Sequence, residues 1–169
     1  MTTHDKLTEF LQANGIEHFT GREVCTLRRA GTVVLPPTDF FMWSNILPAL
    51  RLAEELRERV GHPLLVGNGY RPAEINRRVG GSRRSRHVTF HAVDLDLPRA
   101  YSSREHQEQL YEQAVSMFLE CRGKIPGGIG LGLYRLHRGK RVHFDAGSGR
   151  WRDAYWSKAA FRSVAEGLR

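Results

Sequence analysis

The stretch Ser85-Arg86-His87-Val88-Thr89-Phe90-His91-Ala92-Val93-Asp94-Leu95-Asp96 places a histidine, His87, seven residues ahead of a carboxylate, Asp94, where an apolar run begins. A second stretch, Val142-His143-Phe144-Asp145, sets another histidine on a short alternating segment near the C-terminal end. Two imidazoles and one carboxylate form a three-donor zinc set with a fourth position open, the pattern of catalytic rather than structural zinc. Both segments read as strands. Side chains on a strand alternate faces with period two. Asp94 and Asp96 therefore share one face, opposite Val93, Leu95 and Leu97. His143 and Asp145 share a face, opposite Val142 and Phe144. If the two strands lie near each other, one sheet face gathers Asp94, Asp96, His143 and Asp145, with His87 at its edge. Carboxylates at that density need a cation or strong hydrogen bonding.

Working outward, Ala92 to Leu97 is a strand closed by Pro98. Arg104 to Cys121 is a strong helix, with Leu110, Ala114, Val115, Phe118 and Leu119 on one side. Strands follow at Leu131 to Leu136 and Arg141 to Asp145, joined by a hairpin loop over His137-Arg138-Gly139-Lys140. Upstream, the apolar spacing predicts a helix from Asn45 to Val60, ended by Gly61-His62-Pro63. Leu64-Leu65-Val66 is a short strand, and Ala73 to Arg78 a short helix. Lys6 to Asn14 is an amphipathic helix stopped by Gly15. Phe19 to Val24 is a further turn or helix, and Gly31 to Pro37 an extended piece. Trp151, Trp156 and a basic amphipathic end from Ser157 to Leu168 complete the chain. This order predicts an α+β fold, with a small, mainly antiparallel sheet and flanking helices.

At 169 residues the chain fits one domain, 1–169, with its core at about 37–151. Apolar residues make up 40% and charged residues 26%, as in soluble globular proteins, and no run is apolar enough to span a bilayer. Met1 to Lys6 lacks the basic-then-apolar form of a secretory signal, which predicts cytoplasmic synthesis. Cys25 and Cys121 read as free thiols, since two distant cysteines make no disulfide framework. The net charge of +8 favours a polyanionic partner: nucleic acid, anionic membrane or cell-wall polymer. The basic residues occur in small groups such as Arg83-Arg84-Ser85-Arg86 rather than in one long helix or tail.

Ser-x-His, a short spacer, Ala-x-Asp and a later His-x-Asp together resemble the zinc D-alanyl-D-alanine carboxypeptidase family of peptidoglycan metallopeptidases. Gly69-Tyr70-Arg71-Pro72 with Asn76 and Gly80-Gly81 resembles that family's Gly-Tyr-Arg-x-x-x-x-Asn segment. Gly127-Gly128-Ile129-Gly130 and His143-Phe144-Asp145-x-Gly147 with Trp151 are similar to its later motifs. The resemblance covers roughly Pro37 to Trp151. It implies a fold shared with the Hedgehog signalling domain, and zinc held by His87, Asp94 and His143. It also implies that zinc acidifies a bound water and polarises the scissile carbonyl. Arg71 would hold a substrate carboxylate or the developing oxyanion through its planar fork. Ser85 would orient substrate, with Tyr70 beside it, and Asp96 and Asp145 would fix imidazole tautomers.

Three positions depart from the family pattern. Phe90 stands where a glycine is common. Lys140 stands three residues before the last histidine, where several members have a glutamate, and Arg141 stands where some have a histidine. Asp145 is then the candidate general base, with His91 and His137 behind it. The expected activity is hydrolysis of peptidoglycan stem peptides, at a D-alanyl bond, by a monomer of phage-lysin, tail-peptidase or cytoplasmic dipeptidase type. A catalytically inactive, zinc-stabilised binding domain of the same fold is the alternative. A basic nucleic-acid-binding protein is the third class, which no nucleic-acid motif supports.

Overall fold

The computed structural model describes residues 1–121, 124, 128–136 and 139–146. Trp151, His137, Gly147 and the basic C-terminal end lie outside the described residues. Helix α1 (Thr3–Ala13) opens on a capping box, in which the Thr2 hydroxyl accepts from the Asp5 amide and the Asp5 carboxylate accepts from the Thr2 amide. Those reciprocal bonds satisfy amides that a helix start leaves open, so α1 begins earlier than its apolar spacing indicates. Helix α2 (Gly21–Val24) repeats the device with Thr20 and Glu23.

Strands β1 (Thr26–Leu27) and β2 (Thr32–Val33) form a two-stranded antiparallel sheet around a 3-10 turn at Arg28–Ala30. The extended piece expected over Gly31 to Pro37 pairs at Thr32 and Val33, with one further bond from the Val34 amide to the Cys25 carbonyl, and stops before Pro36 and Pro37, which have no amide to donate. The helix expected from Asn45 arrives in two parts. Phe40–Ile46 is 3-10, and α3 (Leu47–Val60) starts with Pro48 in its first turn. Proline is tolerated there because that amide has no partner within the helix.

Four strands make the main sheet: β3 (Leu65–Asn68), β4 (Ala92–Asp96), β5 (Ile129–Leu136) and β6 (Gly139–Ala146). Their order is β3-β4-β6-β5, with every pair antiparallel. Between β3 and β4 lie α4 (Ala73–Arg78) and the loop bearing His87. Helix α5 (Arg104–Cys121) joins β4 to the β5–β6 hairpin. The fold is α+β, as the element order predicts.

The register divides the sheet into two faces. Val93, Phe144 and Leu131 align across three strands, as do Leu95, Val142 and Leu133, and all six are buried in the core beside α3 and α5. On the opposite face Asp94 aligns with His143, Ala92 with Asp145, and Asp96 with Arg141. The sequence Ile-Gly-Leu-Gly-Leu-Tyr of β5 follows the same alternation, putting Gly130 beside Asp145 and Gly132 beside His143. A Cβ on Gly130 would lie 2.6 Å from Asp145 Oδ2, so only glycine leaves room for that carboxylate. The core also draws in Leu7, Leu11, Ile16, Phe19 and Val24, so it reaches well upstream of the boundary expected near residue 37.

Phe90 is the non-glycine residue with a positive φ, 57°, among the described residues. That backbone explains the glycine common at this position in the resembled family, since a left-handed residue with a Cβ is strained. The ring is fully buried and meets Tyr70 edge-on at 5.5 Å, so it packs beneath the site rather than narrowing it. Removing a buried phenylalanine ring costs about 3–5 kcal/mol. Both Phe90→Ala and Phe90→Gly should therefore destabilise the protein by that order. The glycine variant should be at least as stable as the alanine variant, reversing the usual ranking, because glycine alone relieves the strain. Denaturant midpoints of the two variants check this.

Candidate metal centre

Each side chain of the site is placed by a separate local device. Gly69 and Tyr70 run close beside the end of α2. The Tyr70 amide donates to the Val24 carbonyl at 2.7 Å, and a Cβ on Gly69 would collide with that carbonyl. The next amide, of Arg71, donates to the His87 carbonyl at 3.1 Å. In return His87 Nδ1–H donates to the Gly69 carbonyl at 2.8 Å. This fixes the orientation of the His87 ring and leaves Nε2 facing Asp94. Asn76, buried at the end of the Gly-Tyr-Arg segment, donates to the Ser82 carbonyl at 2.9 Å and so braces the following loop. Ser85 on that loop accepts from Arg71 Nη2 at 3.2 Å.

His87, Asp94 and His143 converge, and one donor atom from each lies within 4.8 Å of the others. His143 Nδ1 is 2.7 Å from Asp94 Oδ1, and His87 Nε2 is 3.5 Å from the same oxygen. Around a tetrahedral zinc with bonds of about 2.0–2.1 Å, donors stand about 3.3 Å apart. The two observed spacings bracket that value, so small side-chain shifts would suit the ion. The donor set, two imidazole nitrogens and a carboxylate, also suits zinc. All three residues are buried apart from the side that lines the cavity.

Asp145 lies behind His143. It is fully buried, with Oδ2 3.3 Å from His143 Nε2, the ring nitrogen not turned towards Asp94. It does not line the cavity over the three donors. That placement fits one expectation for Asp145, holding the imidazole. It does not favour the other, general base, since the buried carboxylate meets the far nitrogen of the ring rather than the cavity lining. Asp96 is placed differently from its expectation too. Both its oxygens accept from Arg141, at 2.6 Å from Nε and 2.5 Å from Nη2, so it steadies a guanidinium rather than an imidazole. Arg141 Nη1 also reaches Asp94 Oδ2 at 3.5 Å. Lys140 follows the strand alternation to the opposite face, where its ammonium sits 4.6 Å above the Tyr111 ring of α5. A residue three before a ligand on a regular strand cannot share the ligand's face. His91 bonds Thr89 Oγ1 through Nδ1 at 3.0 Å and does not line the cavity.

The electrostatics follow from these contacts. Burial opposes ionisation of Asp94, but the imidazoles of His87 and His143 outweigh it and hold the carboxyl well below its usual range. Burial likewise opposes charging of His143, but Asp145 and Asp94 win and raise it from 6.5 to about 9. The metal-free protein thus carries an imidazolium clamped between two carboxylates at neutral pH. Its contribution to stability is complete below about pH 6.5 and is lost as pH rises through about 9. Metal uptake must displace that proton, so zinc affinity should climb over the same interval. Denaturant midpoints of the metal-free protein, and zinc titrations from pH 6 to 9, should move in opposite directions.

Above the three donors opens a cavity of about 490 Å³. Arg71 and Ser85 line it as expected, and Tyr70 instead packs against Phe90. Sequence reasoning missed most of the rest: Tyr134, its ring 6.1 Å from that of His143, and the arginines Arg29, Arg84, Arg86 and Arg141. The β5 alternation could have indicated Tyr134, which falls two residues beyond Gly132 on the same face.

No curated protein matches the chain significantly. Among protein-family models, the one described as Peptidase M15 matches residues 17–123, well over half the chain. The matched span contains Arg71, Ser85, His87 and Asp94. It ends before His143, which reaches the site through the register of β6 with β4. It also begins about twenty residues before the expected start at Pro37, in keeping with the upstream core. With that match and an α+β sheet that brings His87, Asp94 and His143 together, the chain belongs to the Peptidase M15 family of metal-dependent peptidases.

Proposed function

We propose that this protein is a zinc peptidase that hydrolyses peptidoglycan stem peptides, with a D-alanyl bond as its target. The observation that carries the reading is the position of His87, Asp94 and His143 at the floor of an arginine-lined cavity. Zinc, when bound, supplies Lewis-acid polarisation of the scissile carbonyl and acidifies water. The chain's own residues do the remaining work. Gly69 holds His87 with Nε2 forward, and Asp145 holds His143 with Nδ1 forward. Arg71, steadied by Ser85, offers its fork to a substrate carboxylate or to the carbonyl oxygen as charge builds on it. Arg141 draws charge from Asp94 while its own is balanced by Asp96. The Tyr134 ring forms a wall beside His143.

The inactive zinc-stabilised binding domain is a second reading, favoured by Lys140, which occupies the family's glutamate position and faces α5. Digestion of muropeptides separates the two. Cleavage abolished by a chelator and restored by zinc supports the peptidase. One zinc per chain without cleavage of any muropeptide supports the binding domain.

A further inference from the structure

Arg29, Arg84 and Arg86 have no ion-pair partner among the described residues, yet all three line the cavity above the metal donors. Arg141 is already balanced by Asp96, and Arg71 is committed near the donors through Ser85. The other three reach the lining from two separate segments. Arg29 comes from the 3-10 turn after β1, and Arg84 and Arg86 from the loop after α4. That loop is braced. Asn76 holds Ser82, the Gly81 amide donates to the Asn76 carbonyl at 2.8 Å, and the Ser85 amide to the Ser82 carbonyl at 3.0 Å. A braced loop has less freedom to lose when a ligand binds. Like charges gathered on one concavity repel each other unless an anion is shared between them.

We propose that Arg29, Arg84 and Arg86 form a second anion subsite, distinct from Arg71, and that the protein selects peptides carrying a second carboxylate away from the scissile bond. The proposal rests on the peptidase reading for the identity of the ligand, but not for the existence of the subsite. Carboxylates suit it because an arginine fork donates two parallel bonds to them. A long polyanion would instead need basic residues spread along an open face, whereas these converge on about 490 Å³.

The test uses two synthetic stem peptides, both ending in a free D-alanyl carboxylate, with the second carboxyl either free or converted to carboxamide. Equilibrium binding is measured first on metal-free protein, where no turnover intervenes. The free form should bind about tenfold tighter, since hydrogen bonds to an ionised acceptor are stronger than those to a neutral one, and added salt should shrink the difference. In the double variant R84Q/R86Q the preference should fall below about twofold, with zinc uptake unchanged. R51Q/R99Q removes the same net charge at two exposed positions outside the cavity and should retain the preference. Equal binding of the two peptides by the unaltered protein, or a preference that survives R84Q/R86Q, would overturn the subsite. So would a trinucleotide that binds as tightly as the dicarboxylate peptide. Turnover on zinc-loaded protein then separates the two ideas. Preference without cleavage of either peptide defeats the peptidase reading and keeps the subsite. Cleavage of both with equal KM defeats the subsite and keeps the peptidase.

Discussion

Replacing His143 with alanine should take zinc content from about one ion per chain to none and remove hydrolysis with it. The ring supplies one of three donors, and two donors do not retain zinc against solvent. The variant should also be less stable than the unaltered protein in the absence of metal. Asp94 and Asp145 are both buried against this ring, and its loss removes the imidazolium that both carboxylates contact. Removing one partner from a buried ion pair costs about 3–5 kcal/mol. His87→Ala provides the comparison. It should lose zinc equally, but His87 contacts one carboxylate, Asp94 at 3.5 Å, where His143 contacts two, so the metal-free variant should lose less stability. Mass-spectrometric zinc content beside denaturant midpoints reads both effects. Zinc retained at full stoichiometry in either variant would refute the three-donor centre.

Asp145→Asn distinguishes the two tasks that the sequence suggested for this residue. As the group that holds His143, Asp145 should matter to metal affinity. The variant should bind zinc about 10–100-fold more weakly, the usual cost of losing such a partner, and should regain turnover when zinc is saturating. As a general base it would leave affinity unchanged and lose turnover at any zinc concentration. The geometry favours the first outcome, because the carboxylate is fully buried and contacts the far nitrogen of the ring. Asparagine is the right substitution, since it keeps the size of the aspartate where the backbone of Gly130 packs close against it.

Much of the fold could be read before the structure. The bounds of α4 and α5 match their apolar spacing, and strand alternation assigned the faces of β4 and β6 correctly, because a half-buried sheet enforces period two. The shorter elements resisted. β1 and β2 pair over two residues each and carry no periodicity, and the 3-10 segment at Phe40–Ile46 blends into the helix that follows. At the site, the donor residues were visible as motifs, whereas the partner of Asp96 was not. Arg141 sits opposite Asp96 through strand register, which no local spacing reveals. The arginine lining was invisible for the same reason, since Arg29 and Arg84 reach one cavity only through tertiary packing.

The register that sets Asp94 against His143 joins donors 49 residues apart. During synthesis, the first two donors emerge together within one short segment, while the third follows only after α5 and β5 have been made. A nascent chain therefore cannot complete the centre until β6 has left the ribosome and docked between β4 and β5. On the proposed reading, metal capture would be the last event of maturation, and a chain arrested or clipped before β6 would be left without His143.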